Sequence, residues 1–119
     1  MQRIMLRAKI HRAIVTDADI NYEGSIAIDE KLMESSGILE FEQVQIYDID
    51  NGNRFVTYTI KAPAGSGTVS VNGAAARKVG IGDRIIIASY AVMEEDEAKN
   101  IQPKLVYIKK DNKTFDCKP

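Results

Sequence analysis

Apolar and charged residues interleave from Ile4 to Ile10 and again from Ala13 to Thr16, a rhythm that predicts two short strands. Asp17-Ala18-Asp19 reads as a turn or the start of a short helix, and Ser25-Ile26-Ala27-Ile28 as a brief strand. Asp29 then stands where a helix from Glu30 to about Ser36 needs an N-cap, and Gly37 supplies its left-handed stop. Val44–Ile49 and Arg54–Ile60 flank Asp50-Asn51-Gly52-Asn53, and Asn-Gly between β-rich runs is a strong hairpin signal. Beyond the loop Pro63–Gly67 come a strand Thr68–Val71, a short alanine-rich segment from Ala74 to Lys78, and a turn at Gly80–Asp83. Arg84–Met93 reads as a buried strand, Glu94–Glu97 as one helical turn and Lys104–Lys109 as a last strand; the tail from Asp111 is expected to fray. Many short strands, glycine-rich turns and few helices predict a mainly β chain closed into a small barrel.

A faint internal echo points the same way. Ser35-Ser36-Gly37-Ile38-Leu39-Glu40 precedes Val44-Gln45-Ile46 much as Val79-Gly80-Ile81-Gly82-Asp83 precedes Ile85-Ile86-Ile87. In both, a short helical piece leads through Gly-Ile and an acidic residue into a strand. No linker interrupts the 119 residues, so residues 1–119 read as a single domain.

Composition removes several function classes. With 16 Lys+Arg against 17 Asp+Glu the net charge is -1, which offers no field to a phosphate backbone and argues against a nucleic-acid partner. One Cys (Cys117) and one His (His11) make no disulfide and no zinc site, so no metal is expected. No phosphate-binding glycine signature is present, and pyridoxal phosphate (PLP) enzymes normally need a larger fold. Cations at Arg3, Arg7 and Lys9 break the apolar stretch that an export signal requires. The run Ile85-Ile86-Ile87-Ala88 is far short of the ~20 residues that span a bilayer. A soluble cytoplasmic protein without a membrane partner is the expectation. Any catalysis must then come from side chains or from a group the chain makes itself.

Four constellations are candidates for chemistry. Tyr22-Glu23-Gly24-Ser25 is on its own a turn, yet Gly24 lacks a Cβ and lets the Ser25 hydroxyl approach the Gly24 carbonyl. Attack there gives an ester; its β-elimination leaves dehydroalanine, and hydrolysis leaves a pyruvoyl ketone at a new N-terminus. Arg54, Val56 and Tyr58 alternate onto one strand face, where Arg54 is suited to hold a carboxylate and Tyr58 to donate a proton. The same residues also suit a solvated rim with a half-buried ring. Strict pleating points Thr57 the other way, so a site lined by all three needs a bulge or a second subunit. Lys9 and His11 share a face and offer a cation to an anionic substrate, or serve as a rim charge and a structural imidazole. Asn72-Gly73-Ala74-Ala75-Ala76 presents backbone amides without bulk, which serves either an anion or close packing.

In this order, Lys9-Ile10-His11-Arg12, Tyr22-Glu23-Gly24-Ser25 with Ile28-Asp29, Asn51 through Tyr58, and Ser70 through Ala76 closely resemble the bacterial aspartate 1-decarboxylase family. These are pyruvoyl-dependent enzymes that make β-alanine for pantothenate, and the likeness runs from Met1 to about Ile108. The resemblance implies a double-psi β-barrel, a homotetramer with active sites between subunits, and self-cleavage between Gly24 and Ser25. A β-chain of residues 1–24 and an α-chain of residues 25–119 would result, with Ser25 converted to the pyruvoyl group. It further implies that Thr57 assists cleavage, that Tyr58 is the proton donor, and that Lys9 and Arg54 bind substrate carboxylate. Asn72, Gly73, Ala74 and Ala75 would line the pocket, with Thr57 also touching substrate and Tyr22 and His11 supporting.

The implied reaction condenses the ketone with L-aspartate as a Schiff base, releases CO2 and yields β-alanine, with no metal and no PLP. A non-catalytic barrel that binds a protein or small ligand is the rival, and it has no reason to cleave itself. A pyruvoyl decarboxylase for histidine or arginine is a second rival, disfavoured by the cations Arg54 and Lys9.

Overall fold

The computed structural model describes residues 1–118. The strands are β1 (Gln2–Ile14), β2 (Asp17–Asp19), β3 (Ile26–Asp29), β4 (Gln43–Asp48), β5 (Arg54–Ala62), β6 (Val69–Asn72), β7 (Arg84–Glu94), β8 (Lys104–Ile108) and β9 (Phe115–Lys118). Helix α1 spans Glu30–Ser36 and α2 spans Glu95–Asn100, while Gly73–Lys78 forms a 3-10 turn. The strands join one sheet in the order β2-β6-β3-β5-β4-β7-β1-β8-β9. The architecture is mainly β with a few short helices, as expected, and consistent with a small β-barrel. No helix among the described residues is long and apolar enough to cross a membrane.

Alternation decides which side chains go inside. Ile10 and Ala8 of β1, Ile26 and Ile28 of β3, Val44 and Ile46 of β4, Val69 and Val71 of β6, and Ile85 and Ile87 of β7 are buried at every second position. They form one apolar cluster, with Leu32 and Met33 of α1 closing over it. Helix α1 begins and ends as its local chemistry dictates. The Asp29 carboxylate accepts the Lys31 N–H at 2.9 Å, and Gly37 stops the helix at φ 74°. The hairpin at Asn51-Gly52 also forms, pairing Tyr47 with Arg54 and Gln43 with Tyr58 without a register break.

Three local readings give way to long-range pairing. The two strands expected before Thr16 are a single strand, β1, whose pairing with β7 slips at Arg7 and Arg12; Arg12 takes φ 68° there. Asp17–Asp19 is a strand rather than a turn, because β6 pairs with it in parallel from Ser70 to Asn72. The tail is ordered from Asp111 to Lys118. Asn112 is buried, accepts the Ile14 N–H at 2.8 Å, and donates to the Ile14 and Gly67 carbonyls. That side chain anchors the turn from which β9 returns along β8. The echoed segments end in β4 and β7, which lie side by side and antiparallel.

Candidate active site

Gly24 and Ser25 lie in the crossing from β2 to β3, and both take the left-handed conformation, at φ 69° and 85°. For Gly24 this is nearly free, but for Ser25 it costs about 1–2 kcal/mol. The strained pair is held from three sides. The Gly24 N–H donates to the Tyr22 carbonyl at 2.8 Å, closing a tight turn around Glu23. The Tyr58 hydroxyl donates to the Glu23 carbonyl at 3.1 Å. The Asn72 N–H donates to the Ser25 carbonyl at 2.9 Å, and the Asn72 side-chain amide lies 3.4 Å from Ser25 Oγ.

Gly73 closes the fourth side. A Cβ built on it would stand 2.6 Å from both Cα and N of Gly24, so only a glycine lets the two backbones approach this closely. Gly73 itself sits at φ 68°, a second reason for the residue type. Ser70 Oγ donates to Asn72 Oδ1 at 3.0 Å, which leaves the Asn72 amino group facing Ser25. Ser25 is 2% exposed, so its hydroxyl is shielded from bulk water, whereas Tyr58 is 42% exposed.

The structure thus brings together Tyr22, Gly24, Ser25, Tyr58, Asn72 and Gly73. No hydrogen bond among the described residues links Lys9, His11, Arg54 or Thr57 to the Gly24–Ser25 segment. Arg54 lies on the exposed face of β5 with its guanidinium 3.8 Å above the Tyr47 ring. Thr57 falls on the opposite face from Tyr58, since β5 carries no bulge. Lys9 and His11 are half-buried on one face of β1, where His11 meets Tyr107 edge-on at 5.6 Å. Burial, then Lys9 and Arg12, hold the His11 imidazole below its ordinary pKa, favouring the neutral ring. Ala74 is exposed and Ala75 half-buried on the 3-10 turn next to Gly73.

A recess of about 480 Å³ beside the site is lined by Phe41, Gln43, Val56, Thr57 and Tyr58. One of similar size, about 490 Å³, lies over α1 between Glu30, Met33, Leu39 and Lys61 and holds none of the candidate residues. Volume does not distinguish the two; the first contains Tyr58, whose hydroxyl reaches the Glu23 carbonyl.

Sequence reasoning missed Tyr47, whose hydroxyl shares a 2.9 Å hydrogen bond with that of Tyr90 and whose ring carries Arg54. It also missed Ser70 behind Asn72. The i, i+2 spacing of Ser70 and Asn72 on one strand face was the available signal.

The family model of aspartate decarboxylase matches residues 1–115. The aspartate 1-decarboxylase of Thermoanaerobacter pseudethanolicus is 57% identical over 113 residues, covering 95% of this chain and 97% of its own. That of Syntrophus aciditrophicus is 56% identical over 112 residues, covering 94% and 97%. A Xanthomonas oryzae aspartate 1-decarboxylase is 60% identical over 108 residues, covering 91% and 86%. With a family model spanning nearly the whole chain and relatives this similar end to end, the chain belongs to the aspartate decarboxylase family.

Proposed function

We propose that this enzyme is made as a precursor, cleaves itself between Gly24 and Ser25, and decarboxylates L-aspartate to β-alanine and CO2. The observation that carries the reading is the left-handed Gly24-Ser25 pair, which the Tyr58 hydroxyl, Asn72 and the side-chain-free Gly73 hold in place. Strain at a single peptide link, braced from several directions, suits a bond meant to break. Ser25 Oγ adds to the Gly24 carbonyl and the C–N bond opens, leaving an ester and a free amine. Loss of the ester oxygen frees the Gly24 carboxylate and leaves dehydroalanine; water then releases ammonia and leaves the pyruvoyl ketone. Asn72 steers the hydroxyl, and Thr57 assists the cleavage.

Gly73, Ala74 and Ala75, with no side chain larger than a methyl, suit close approach to such a planar group. When present, the ketone supplies the electron sink that lets the α-carboxylate leave as CO2. Arg54 and Lys9 bind substrate carboxylate, and their charge selects aspartate over cationic amino acids. Tyr58 returns the proton to the carbon that lost CO2, its hydroxyl standing on the Glu23 carbonyl beside the segment that yields the ketone. His11 and Tyr22 support this frame.

Thr57 and Tyr58 point to opposite faces of an unbulged strand, so a complete site requires a second subunit. A homotetramer with sites between neighbours meets that need, and the exposed Val56 and Tyr58 face is where the neighbour would sit. The enzyme works in the cytoplasm, supplying β-alanine for pantothenate.

Intact-mass spectrometry of the purified protein tests the reading. Two chains split after Gly24, the larger lighter by one ammonia than a Ser25-initiated peptide, and β-alanine formed from L-aspartate are expected. A chain that stays whole after prolonged warm incubation, with no CO2 released from aspartate, would overturn it.

A further inference from the structure

Away from the Gly24–Ser25 segment, the hairpin turn and the start of β7 bring three carboxylates together. Oxygen atoms of Asp48, Asp50 and Asp83 lie within 4.8 Å of one another. Turn chemistry explains part of each group. Asp48 Oδ1 accepts the N–H groups of Asp50 and Asn51, at 2.8 and 3.2 Å. Asp83 Oδ2 accepts the Gly80 N–H at 2.9 Å. Asp50 is clamped by Arg84, which donates its backbone N–H at 2.6 Å and its guanidinium at 2.7 Å.

These contacts leave Asp48 Oδ2 over. Asp48 is only 3% exposed, and no donor in the described structure reaches that oxygen. Arg84 is committed to Asp50, and Arg12 acts on Asp50 only through space. Neither guanidinium bonds Asp48 or Asp83. A buried carboxylate oxygen without a donor, facing further carboxylates, is relieved by a positive charge between them, whether an ion or a shared proton.

We propose that Asp48, Asp83 and Asp50 bind a hard divalent cation, of the Mg²⁺ or Ca²⁺ class, that ties the β4–β5 turn to the start of β7. An all-oxygen, carboxylate donor set without nitrogen or sulfur is what such cations take, and Asp50, at the exposed edge, leaves room for coordinated water. Arg54 opens β5 just beyond the turn, and Tyr58 lies roughly 13 Å farther along that strand. The ion is therefore structural: it braces the hairpin that carries Arg54 and takes no part in bond breaking. The site stands on this cluster alone and does not depend on the decarboxylation chemistry.

Chelator-treated, dialysed protein titrated at pH 7.5 with MgCl2 and, separately, with CaCl2 tests the site by calorimetry and thermal melting. One ion per chain is expected for at least one of the salts, with a saturable rise in Tm of about 5 °C. Asp83→Asn, which keeps an acceptor for the Gly80 N–H, should weaken binding at least tenfold and lose the rise. Asp48→Asn should do the same if Asp83→Asn fails to fold. Absence of saturable binding by either ion, or an equal Tm rise in both variants, would overturn the proposal. So would a Tm indifferent to both ions that falls between pH 5 and pH 8, because the carboxylates would then be sharing a proton.

Discussion

Two stretches four residues apart meet opposite physical demands. At Gly24-Ser25 the backbone is twisted into the left-handed region, and Ser25 does so with a Cβ. At Asp29 one buried carboxylate accepts three backbone N–H groups, from Lys31 at 2.9 Å, Gly65 at 3.0 Å and Gly67 at 2.8 Å. The first stretch holds local strain against its surroundings; the second satisfies a helix N-terminus and a loop at once. The difference teaches where the molecule puts its stability. A firmly capped α1 and β3 give the strained link a rigid frame, and without one the strain would relax by local rearrangement.

The sharpest break of this comparison is Ser25→Ala. Without the hydroxyl no ester forms, and a whole 119-residue chain without decarboxylase activity is expected by mass spectrometry and β-alanine assay. A cleaved and active variant would show that the strain at residue 25 is incidental.

Tyr58→Phe separates the two roles of the segment. Cleavage should still run to completion, slowed by loss of the single bond to the Glu23 carbonyl, while turnover of aspartate falls by about 10²–10⁴-fold, the range for a lost general acid. Wild-type turnover would mean that water or another acid delivers the proton.

Gly73→Ala tests the close approach. Its Cβ cannot stand 2.6 Å from Gly24, so Gly24 must move, and cleavage should slow by at least ~10-fold even where the fold survives. The rate of appearance of the 25–119 fragment reports this directly. An unchanged rate would show that the segment yields without losing its reactive geometry.

Asp29→Ala acts on the other member of the pair. It leaves the N–H groups of Lys31, Gly65 and the buried Gly67 without their acceptor, and a loss of about 1–3 kcal/mol in denaturant unfolding is expected. Cleavage in the variants that remain folded should be slower, because the frame around the strained link is looser.

The smallest effect is on pH. Burial pushes the Asp29 carboxyl up, but the N–H groups of Gly67, Lys31 and Gly65 outweigh it and hold it below its ordinary value of 3.8. Glu42 behaves alike: burial raises it, and Ser89, the Leu39 N–H and Arg7 bring it below 4.5. For carboxylates lowered in the folded state, the stabilisation is fully present above the unfolded values. It is lost as pH falls through the folded ones. Denaturant midpoints should therefore hold down to about pH 5 and drop steadily below pH 4. A flat profile from pH 5 to pH 3 would remove the special status of the Asp29 turn.

Much of this was legible in the residues. Helix α1 was readable to its caps because Asp29 meets Lys31 and Gly37 meets Met33 and Glu34, partners within four positions of chain. The β4–β5 hairpin was readable because Asn51-Gly52 sets register locally. Asp17–Asp19 was misread because a three-residue strand exists only through its parallel partner Ser70–Asn72, some fifty positions away. The tail was misread because nothing near Asn112 in sequence announces its bonds to Ile14 and Gly67.

The candidate site divides along the same line. The order of residue types from Lys9 to Ala76 was enough to mark the family and to name Gly24, Ser25, Tyr58 and Asn72. It could not place the Gly73 backbone against Gly24, turn Ser25 left-handed, or bring Asp83 to Asp48. Periodicity and capping are properties of consecutive residues and are encoded in short stretches of chain. Close approach, strain and shared charge are properties of pairs far apart in sequence, and only the packed β-sheet decides which of them meet.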